Sequence, residues 1–173
     1  MKMKSIEKYL KTQIDQNKTP GLQYYYFNQD TILYRYCGGL ADIDGQTEVN
    51  EDTTFNACST TKTLTALAII QLVEKGLIEI DKPVSAYLQK FPYPGNITTR
   101  HLLTHTSGIP NPLPLKWIHA EDEHDDFDYK KYFSKVFQKH NKTRNGPGEK
   151  FAYSNLGYIL GDVDRRSKRS GLY

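Results

Sequence analysis

Cysteine, long apolar runs and an excess of charge of one sign are all scarce in this sequence of 173 residues. The two cysteines, Cys37 and Cys58, are too few for a disulfide-stapled scaffold and are predicted to be reduced thiols. The longest apolar run, residues 66–70, is far too short to cross a membrane. The net charge of +3 mixes both signs, and basic residues do not alternate with aromatic ones, so nucleic-acid binding is not predicted.

The first residues, MKMKSIEKYLKTQID, contain no continuous apolar stretch and do not predict a secretory signal. The chain as written is therefore predicted to be cytoplasmic, whereas a signal removed ahead of this N-terminus would make it an exported protein. Hydrophobic residues make up 38% and charged residues 25% of the sequence, which is typical of a globular domain with a real core.

Strand patterns lie near the N-terminus and helical patterns follow them. An amphipathic helix is predicted over residues 5–17, and LQYYYF and TILYRYCGG around the turn NQD predict a β-hairpin. Residues 41–52 are predicted to form a polar loop, and residues 111–128 a long surface loop. Further helices are predicted from Ser59 to a stop at Gly76, from near Pro83 to Leu88, and over residues 98–104, 129–140 and 156–163. Because strands and helices do not alternate, the predicted class is α+β.

Ser59 and Lys62 lie at the start of a long apolar segment, FNACSTTKTLTALAIIQLVEKG, over residues 55–76. Apolar residues occupy nearly every side of this helix, which predicts burial all round. Residues three apart on a helix share a face, so the Lys62 amine can reach the Ser59 hydroxyl. A serine needs a base beside it to act as a nucleophile, and N–H groups at a helix start can stabilise an oxyanion. The pair is therefore a candidate nucleophile and proton acceptor.

A four-residue motif of this kind is common, and SIEK at Ser5–Lys8 is a second copy. The alternative for Ser59 is an ordinary helix N-cap, which stabilises a helix by about 1 kcal/mol. The copy at Ser59 differs because it opens an apolar helix, where a lysine needs a partner.

Tyr153 and Asn155 form a second candidate pair in FAYSN. A phenol can relay a proton, and an amide can orient a substrate carbonyl. Residues two apart in an extended segment point to one side, so both can face one cleft. The triplet also occurs at Tyr26–Asn28, and the alternative is a buried tyrosine followed by an asparagine that caps the next helix.

Three longer blocks contain these residues: ACSTTKTLTALAIIQLVEKGLIEIDKPVSAYL, ITTRHLLTHTSGIP and PGEKFAYSNLGYILG. In this order, and with Tyr153 placed 94 positions after Ser59, they resemble the serine β-lactamase and penicillin-binding-protein-like superfamily. The resemblance is strongest to its class C β-lactamase, esterase and D-aminopeptidase branch, and it extends from the N-terminal helix to about Asp162.

The resemblance implies a β-lactamase/transpeptidase-like fold and a serine hydrolase that forms an acyl-enzyme. Its expected partner is a small or peptide-like acyl substrate (a β-lactam, an ester or a D-amino-acyl amide), with no metal or cofactor. Ser59 would be the nucleophile, and Lys62 the proton acceptor or electrostatic partner. Tyr153 would be the general base and acid, and Asn155 would bind the substrate. HTSG, at residues 105–108, would be a structural loop.

The chain departs from that family in length, because family members carry a second half with a third motif and further sheet strands. RSG, at residues 169–171, lies at a predicted helix end and is not accepted as that motif. We therefore expect a partial fold, with residues 1–164 as a truncated domain and residues 165–173 as an atypical basic tail left by a frameshift or premature stop. Loss of one oxyanion donor from the second half costs about a hundredfold in rate. The alternative function is an impaired remnant that binds ligands or self-associates through an open sheet edge.

Three other patterns suggest different sites. His101 and His105 have a spacing that suits a shared metal, but no third ligand is evident, so helix packing and loop hydrogen bonding are favoured. His119, His124 and the acidic residues around them could attract a cation, but their spacing lacks the calcium-loop pattern and its glycine, so a solvated loop is predicted. Cys58, beside the serine, has a thiol that could itself be a nucleophile, but the favoured prediction is a small buried residue behind the serine.

Overall fold

A computed structural model describes residues 3–88, 90–113 and 123–160 of the chain. The chain divides into two compact units, Met1–Asn56 and Ala57–Tyr173. The predicted boundary after residue 164, the RSG block and the basic tail lie outside the described residues, so these domain limits stay predictions.

The first unit contains one helix and a small antiparallel sheet. Helix α1 spans Met3–Asp15, and the strands are β1 (Gly21–Phe27), β2 (Ile32–Asp42) and β3 (Thr47–Glu48), in the order β1-β2-β3. The hairpin turn forms at Asn28, whose side-chain Oδ1 accepts hydrogen bonds from the amides of Asp30 and Thr31 at 3.0 and 2.9 Å. The predicted helix and hairpin are therefore both present.

Strand β2 is longer than its sequence pattern suggests, and it pairs with a third strand that the sequence analysis missed. Gly39 allows the hairpin to continue, because its φ is +79° and a Cβ there would lie 2.2 Å from the Pro20 carbonyl oxygen. The predicted polar loop then contains β3, since Asp42 Oδ1 accepts the amides of Asp44 and Gly45, both at 3.1 Å, and turns the chain back. Strand β3 is only two residues long, too short for an alternating pattern to reveal it.

The second unit consists of helices and 3₁₀ turns around one apolar core. A 3₁₀ turn at Cys58–Thr60 leads into α2 (Thr61–Glu74), and another at Val84–Ala86 precedes α3 (Thr99–Leu103) and α4 (Tyr129–Lys139). Residues 155–160 are helical and are labelled α5. The core of this unit contains Val84, Tyr93, Ile97, Leu102, Ile109, Phe133, Leu156 and Leu160. The observed elements match the α+β class predicted from the sequence.

Helix α2 is much less buried than predicted. Ile69 is fully buried, but Leu64 is 65%, Leu67 is 55% and Ile70 is 38% exposed. The prediction of burial all round was wrong, because an apolar pattern indicates what a helix needs to cover and not whether a covering surface is present.

Local capping explains where the short helices begin. Thr98 caps α3, with its hydroxyl accepting the His101 amide at 3.3 Å and its own amide donating to His101 Nδ1 at 3.1 Å. Asp128 caps α4 by accepting the Lys131 amide at 2.9 Å. These caps place α3 just before the HTSG loop, which leads to the site.

Candidate active site

Ser59 lies in the 3₁₀ turn that precedes α2. It does not act as the cap of that helix, since the N-cap is Thr60, which makes no side-chain capping bond. The Ser59 hydroxyl oxygen instead accepts a hydrogen bond from Lys62 Nζ at 3.2 Å. The turn holds Cys58 in the left-handed region, with φ of 44°. Non-glycine residues in such a conformation often mark functional sites.

Tyr153 reaches the same hydroxyl from a segment 94 residues away in the sequence. Its Oη lies 3.0 Å from Ser59 Oγ, and Lys62 Nζ lies 5.2 Å from the centre of its ring. Ser59 is exposed and Tyr153 is 38% exposed, so a substrate has access to both. The structure thus brings the three predicted catalytic side chains into one hydrogen-bonded group.

The HTSG loop and the chain leading to Tyr153 are hydrogen-bonded to each other. The Arg144 amide donates to the Gly108 carbonyl, and the Gly148 amide donates to the Thr106 carbonyl, both at 2.8 Å. Gly108 has a φ of +73°, and a Cβ there would lie 2.2 Å from the Asn145 carbonyl oxygen. Glycine is therefore required for this close approach of two backbone segments.

The pKa of the Tyr153 phenol lies below its ordinary value. Partial burial alone raises it, but hydrogen bonding with Lys62 and Ser59 and the positive charge of Lys62 outweigh that effect. A larger fraction of the phenol is therefore ionised near neutral pH than for an isolated tyrosine.

Asn155 lines a cleft together with Lys62. It occupies the first position of α5, where its backbone amide and its Nδ2 both donate to Asn111 Oδ1, at 3.1 and 3.0 Å. Asn111 was missed by the sequence analysis. Its position directly after the HTSGIP block was the only signal, and an asparagine before a proline is ordinarily interpreted as turn chemistry.

This open cleft of about 240 Å³ lies beside Ser59 and Tyr153 and includes Lys62 in its lining. It is lined by Cys58, Thr61, Lys62, Thr65, Tyr129, Asn155, Tyr158 and Ile159. The prediction that Cys58 is buried was wrong, because the turn before α2 exposes its side chain at the cleft. Both cysteines lie in the described residues and neither forms a disulfide bond.

The two histidines of the second block each use Nδ1 in a hydrogen bond to a backbone amide. His101 accepts the Thr98 amide, and His105 accepts the Ser154 amide, both at 3.1 Å. Within the described ranges, no group of three His, Cys, Asp or Glu side chains is placed to hold a metal. His119 lies outside the residues that the structure describes.

A family model described as "Beta-lactamase" matches residues 6–171. The chain belongs to the β-lactamase family. This β-lactamase-family chain is 35% identical over 130 residues to "Penicillin-binding protein 4*" of Bacillus subtilis (strain 168), covering 75% of this chain and 28% of that protein. It is 43% identical over 84 residues to "Esterase EstB" of Burkholderia gladioli, covering 45% of this chain and 21% of the relative.

The solved structure of the octameric penicillin-binding protein homologue from Pyrococcus abyssi has the same fold. The TM-score is 0.80 at 27% identity, and the match covers 99% of this chain and 40% of the homologue. The predicted β-lactamase/transpeptidase-like fold is thus confirmed, as part of a larger fold. The chain spans about a quarter of the length of the curated relatives that it matches.

Proposed function

We propose that this chain is a serine hydrolase that forms an acyl-enzyme through Ser59. The observation that carries the proposal is the convergence of three groups, with Lys62 Nζ at 3.2 Å and Tyr153 Oη at 3.0 Å from Ser59 Oγ. A serine hydroxyl becomes a useful nucleophile when a base lies within hydrogen-bonding distance and a third group orients or charges that base.

The roles of the three side chains follow from their chemistry. The Tyr153 phenolate takes the Ser59 proton as Oγ attacks the substrate carbonyl carbon. The bond from that carbon to the leaving nitrogen or oxygen then breaks, and the leaving group receives the proton from Tyr153. A water molecule, deprotonated by the same phenolate, then attacks the acyl carbon; the bond from that carbon to Ser59 Oγ breaks, and Tyr153 returns the proton to Oγ. Lys62 acts as the electrostatic partner, because its charge favours the ionised phenol.

The start of α2 supplies a further favourable field. The N-terminal end of a helix carries about half a positive charge, and Ser59 lies immediately before it. Negative charge that develops on a substrate oxygen beside Ser59 is therefore stabilised by this end of the helix.

The proposed substrates share a carbonyl carbon bonded to a nitrogen or oxygen leaving atom: a β-lactam, an ester or a D-amino-acyl amide. The similarity of this chain to a penicillin-binding protein and to an esterase supports this class. Asn155 lines the cleft beside Lys62 and is proposed to bind the substrate amide or carbonyl. Its hydrogen bonds to Asn111 fix the amide in one orientation.

A second candidate function is a binding fragment with impaired catalysis. The exposed apolar face of α2 favours it, because Leu64 and Leu67 are both more than half exposed. Strand β1 also lies at one edge of the sheet among the described residues, which suits pairing with a second copy. Sedimentation at increasing concentration tests this self-association, and Tyr26→Lys on β1 should reduce it by placing a charge on the edge.

A labelled fluorophosphonate or penicillin tests the enzyme directly. Intact-protein mass spectrometry should show one adduct on the wild-type chain and none on Ser59→Ala. Ser5→Ala is the matched control, since it removes the serine of the second Ser-x-x-Lys motif and should label normally. Circular dichroism shows that each variant is folded. A folded wild-type chain that takes up no label would contradict the enzyme and favour the binding fragment.

A further inference from the structure

His105 holds the polypeptide on both sides of Tyr153. The Ala152 amide donates to the His105 carbonyl at 2.7 Å, and the Ser154 amide donates to the His105 imidazole Nδ1 at 3.1 Å. The two residues that flank Tyr153 are thus both tied to one residue of the HTSG loop.

The imidazole ring also contacts the phenol ring itself. The centres of the His105 and Tyr153 rings lie 4.3 Å apart with a tilt of 35°, and the Tyr158 ring lies 4.9 Å away on the same imidazole. The Tyr158 hydroxyl donates to the Leu103 carbonyl at 2.8 Å, so this second ring is tethered to the end of α3. The orientation of the Tyr153 ring is therefore fixed by packing as well as by backbone bonds.

The backbone conformation of His105 makes both contacts possible. Its φ is 56°, in the left-handed region, just after the C-cap Thr104 of α3. Non-glycine residues rarely adopt this region, and histidine and asparagine are among those that do so most often. The conformation lets the carbonyl and the imidazole of one residue reach the same neighbouring segment.

The imidazole accepts at Nδ1, so its proton is assigned to Nε2 and the ring is neutral. The charged and titratable groups that face it are Lys62, Tyr153 and Tyr158. Burial first, and then the positive charge of Lys62, lower the pKa of His105 below 6.5. Both effects keep the acceptor at Nδ1 available near neutral pH.

We propose that His105 is a positioning residue, which holds the Tyr153 phenol against Ser59 through its Nδ1 bond to the Ser154 amide. This inference rests on the proposed acyl-transfer function. The HTSG block is then more than a structural loop, because its histidine determines where the proposed base lies. His105 itself has no proposed contact with substrate.

Two substitutions separate the contribution of the hydrogen-bond acceptor at Nδ1 from that of the aromatic ring. His105→Phe keeps an aromatic ring beside Tyr153 but leaves the Ser154 amide without its acceptor. Asparagine tolerates a positive φ, and in His105→Asn the Oδ1 atom can accept that amide in place of Nδ1. Each variant is tested for its fluorophosphonate acylation rate and for the pKa of Tyr153. The pKa comes from phenolate absorbance after subtraction of the same titration on Tyr153→Phe.

We expect His105→Phe to slow acylation about tenfold. The Ser154 amide then lacks its acceptor, which is unfavourable for a buried amide. The segment should shift to relieve this, and the Tyr153 phenol then moves away from Ser59. We also expect it to move the Tyr153 pKa back toward 10.0, because the phenol then sits less well against Lys62 and Ser59. His105→Asn should recover most of both changes. Thermal melting by circular dichroism identifies a temperature at which every variant is folded.

The outcomes distinguish this inference from the function on which it rests. If His105→Phe lowers thermal stability but changes neither the acylation rate nor the Tyr153 pKa, His105 is only structural and the inference is overturned. If the wild-type chain shows no acylation, the proposed function fails, and the Tyr153 titration alone decides the role of His105. A raised pKa in His105→Phe then supports positioning, and an unchanged pKa refutes it.

Discussion

Replacing Lys62 with methionine tests the electrostatic centre of the proposed site. Methionine keeps an unbranched apolar chain of similar reach but removes the ammonium group. Lys62 Nζ lies 3.2 Å from Ser59 Oγ, and it also forms a hydrogen bond that lowers the pKa of Tyr153. Lys62→Met therefore removes one donor from the nucleophile and one from the proposed base.

The size of the effect follows from the exposure of the partners. A hydrogen bond from a charged donor contributes about 1.5–3 kcal/mol. Water weakens such interactions at exposed positions, and Ser59 is exposed while Tyr153 is 38% exposed, so we take the lower end. A loss of about 1.4 kcal/mol slows a reaction tenfold, so we expect about tenfold slower acylation near neutral pH. The Tyr153 pKa should rise toward its ordinary value of 10.0 in the same variant.

The assay is the rate of fluorophosphonate acylation across the pH range, with phenolate absorbance recorded in parallel. In the wild type the rate should rise with pH and level off below the ordinary tyrosine pKa, whereas in Lys62→Met the rise should occur at higher pH. Lys8→Met, in the second Ser-x-x-Lys motif, is the matched control and should change neither quantity. An unchanged rate profile in Lys62→Met would refute the role given to the lysine.

Three further predictions concern the supporting structure. Asn111→Ala should slow acylation about threefold to tenfold, because it removes the acceptor of both Asn155 hydrogen bonds. Asn111→Asp keeps an acceptor, so its acylation rate should fall less; saturation kinetics with the labelled inhibitor measure both rates. The pKa of His105 is lower in the folded chain than its unfolded value of 6.5, so the unfolded state binds the proton first. The stability from neutral His105 is thus complete above pH 6.5 and declines as the pH falls through the folded pKa; thermal melts should show this slope, and His105→Asn should flatten it. Leu102→Ala, at a position only 1% exposed, should lower the free energy of unfolding by about 2–5 kcal/mol in urea. Leu113→Ala, at a 71% exposed position, should change it by less than about 0.5 kcal/mol.

The sequence was sufficient to predict elements that local chemistry determines. The hairpin followed from two segments rich in aromatic and branched residues around the turn NQD, and α3 followed from ITTRHLLTHTSGIP, a helical segment that the Ser107-Gly108 turn stops. The approach of Lys62 to Ser59 followed from helical spacing alone. Tyr153 came to the same place by resemblance, because no local rule relates residues so far apart in the chain.

Contacts between distant residues and unusual backbone conformations could not be predicted from local sequence patterns. The two-residue strand β3 depends on pairing with β2, and the contact of Asn111 with Asn155 joins positions 44 residues apart. The spacing of His101 and His105 was noted, but it did not reveal that a left-handed backbone turns His105 toward Tyr153. Helix α2 shows the opposite limit, since its apolar pattern predicted burial that the described residues do not provide.

The exposed leucines and isoleucine of α2 have a practical consequence for work with this chain. Dyes such as anilinonaphthalene sulfonate fluoresce when they bind accessible apolar surface, and their uptake is commonly taken as a sign of a loosened protein. Here the native helix itself presents such a surface, so the folded chain should bind the dye before any unfolding begins. Far-ultraviolet ellipticity is therefore the better signal for its melting curves.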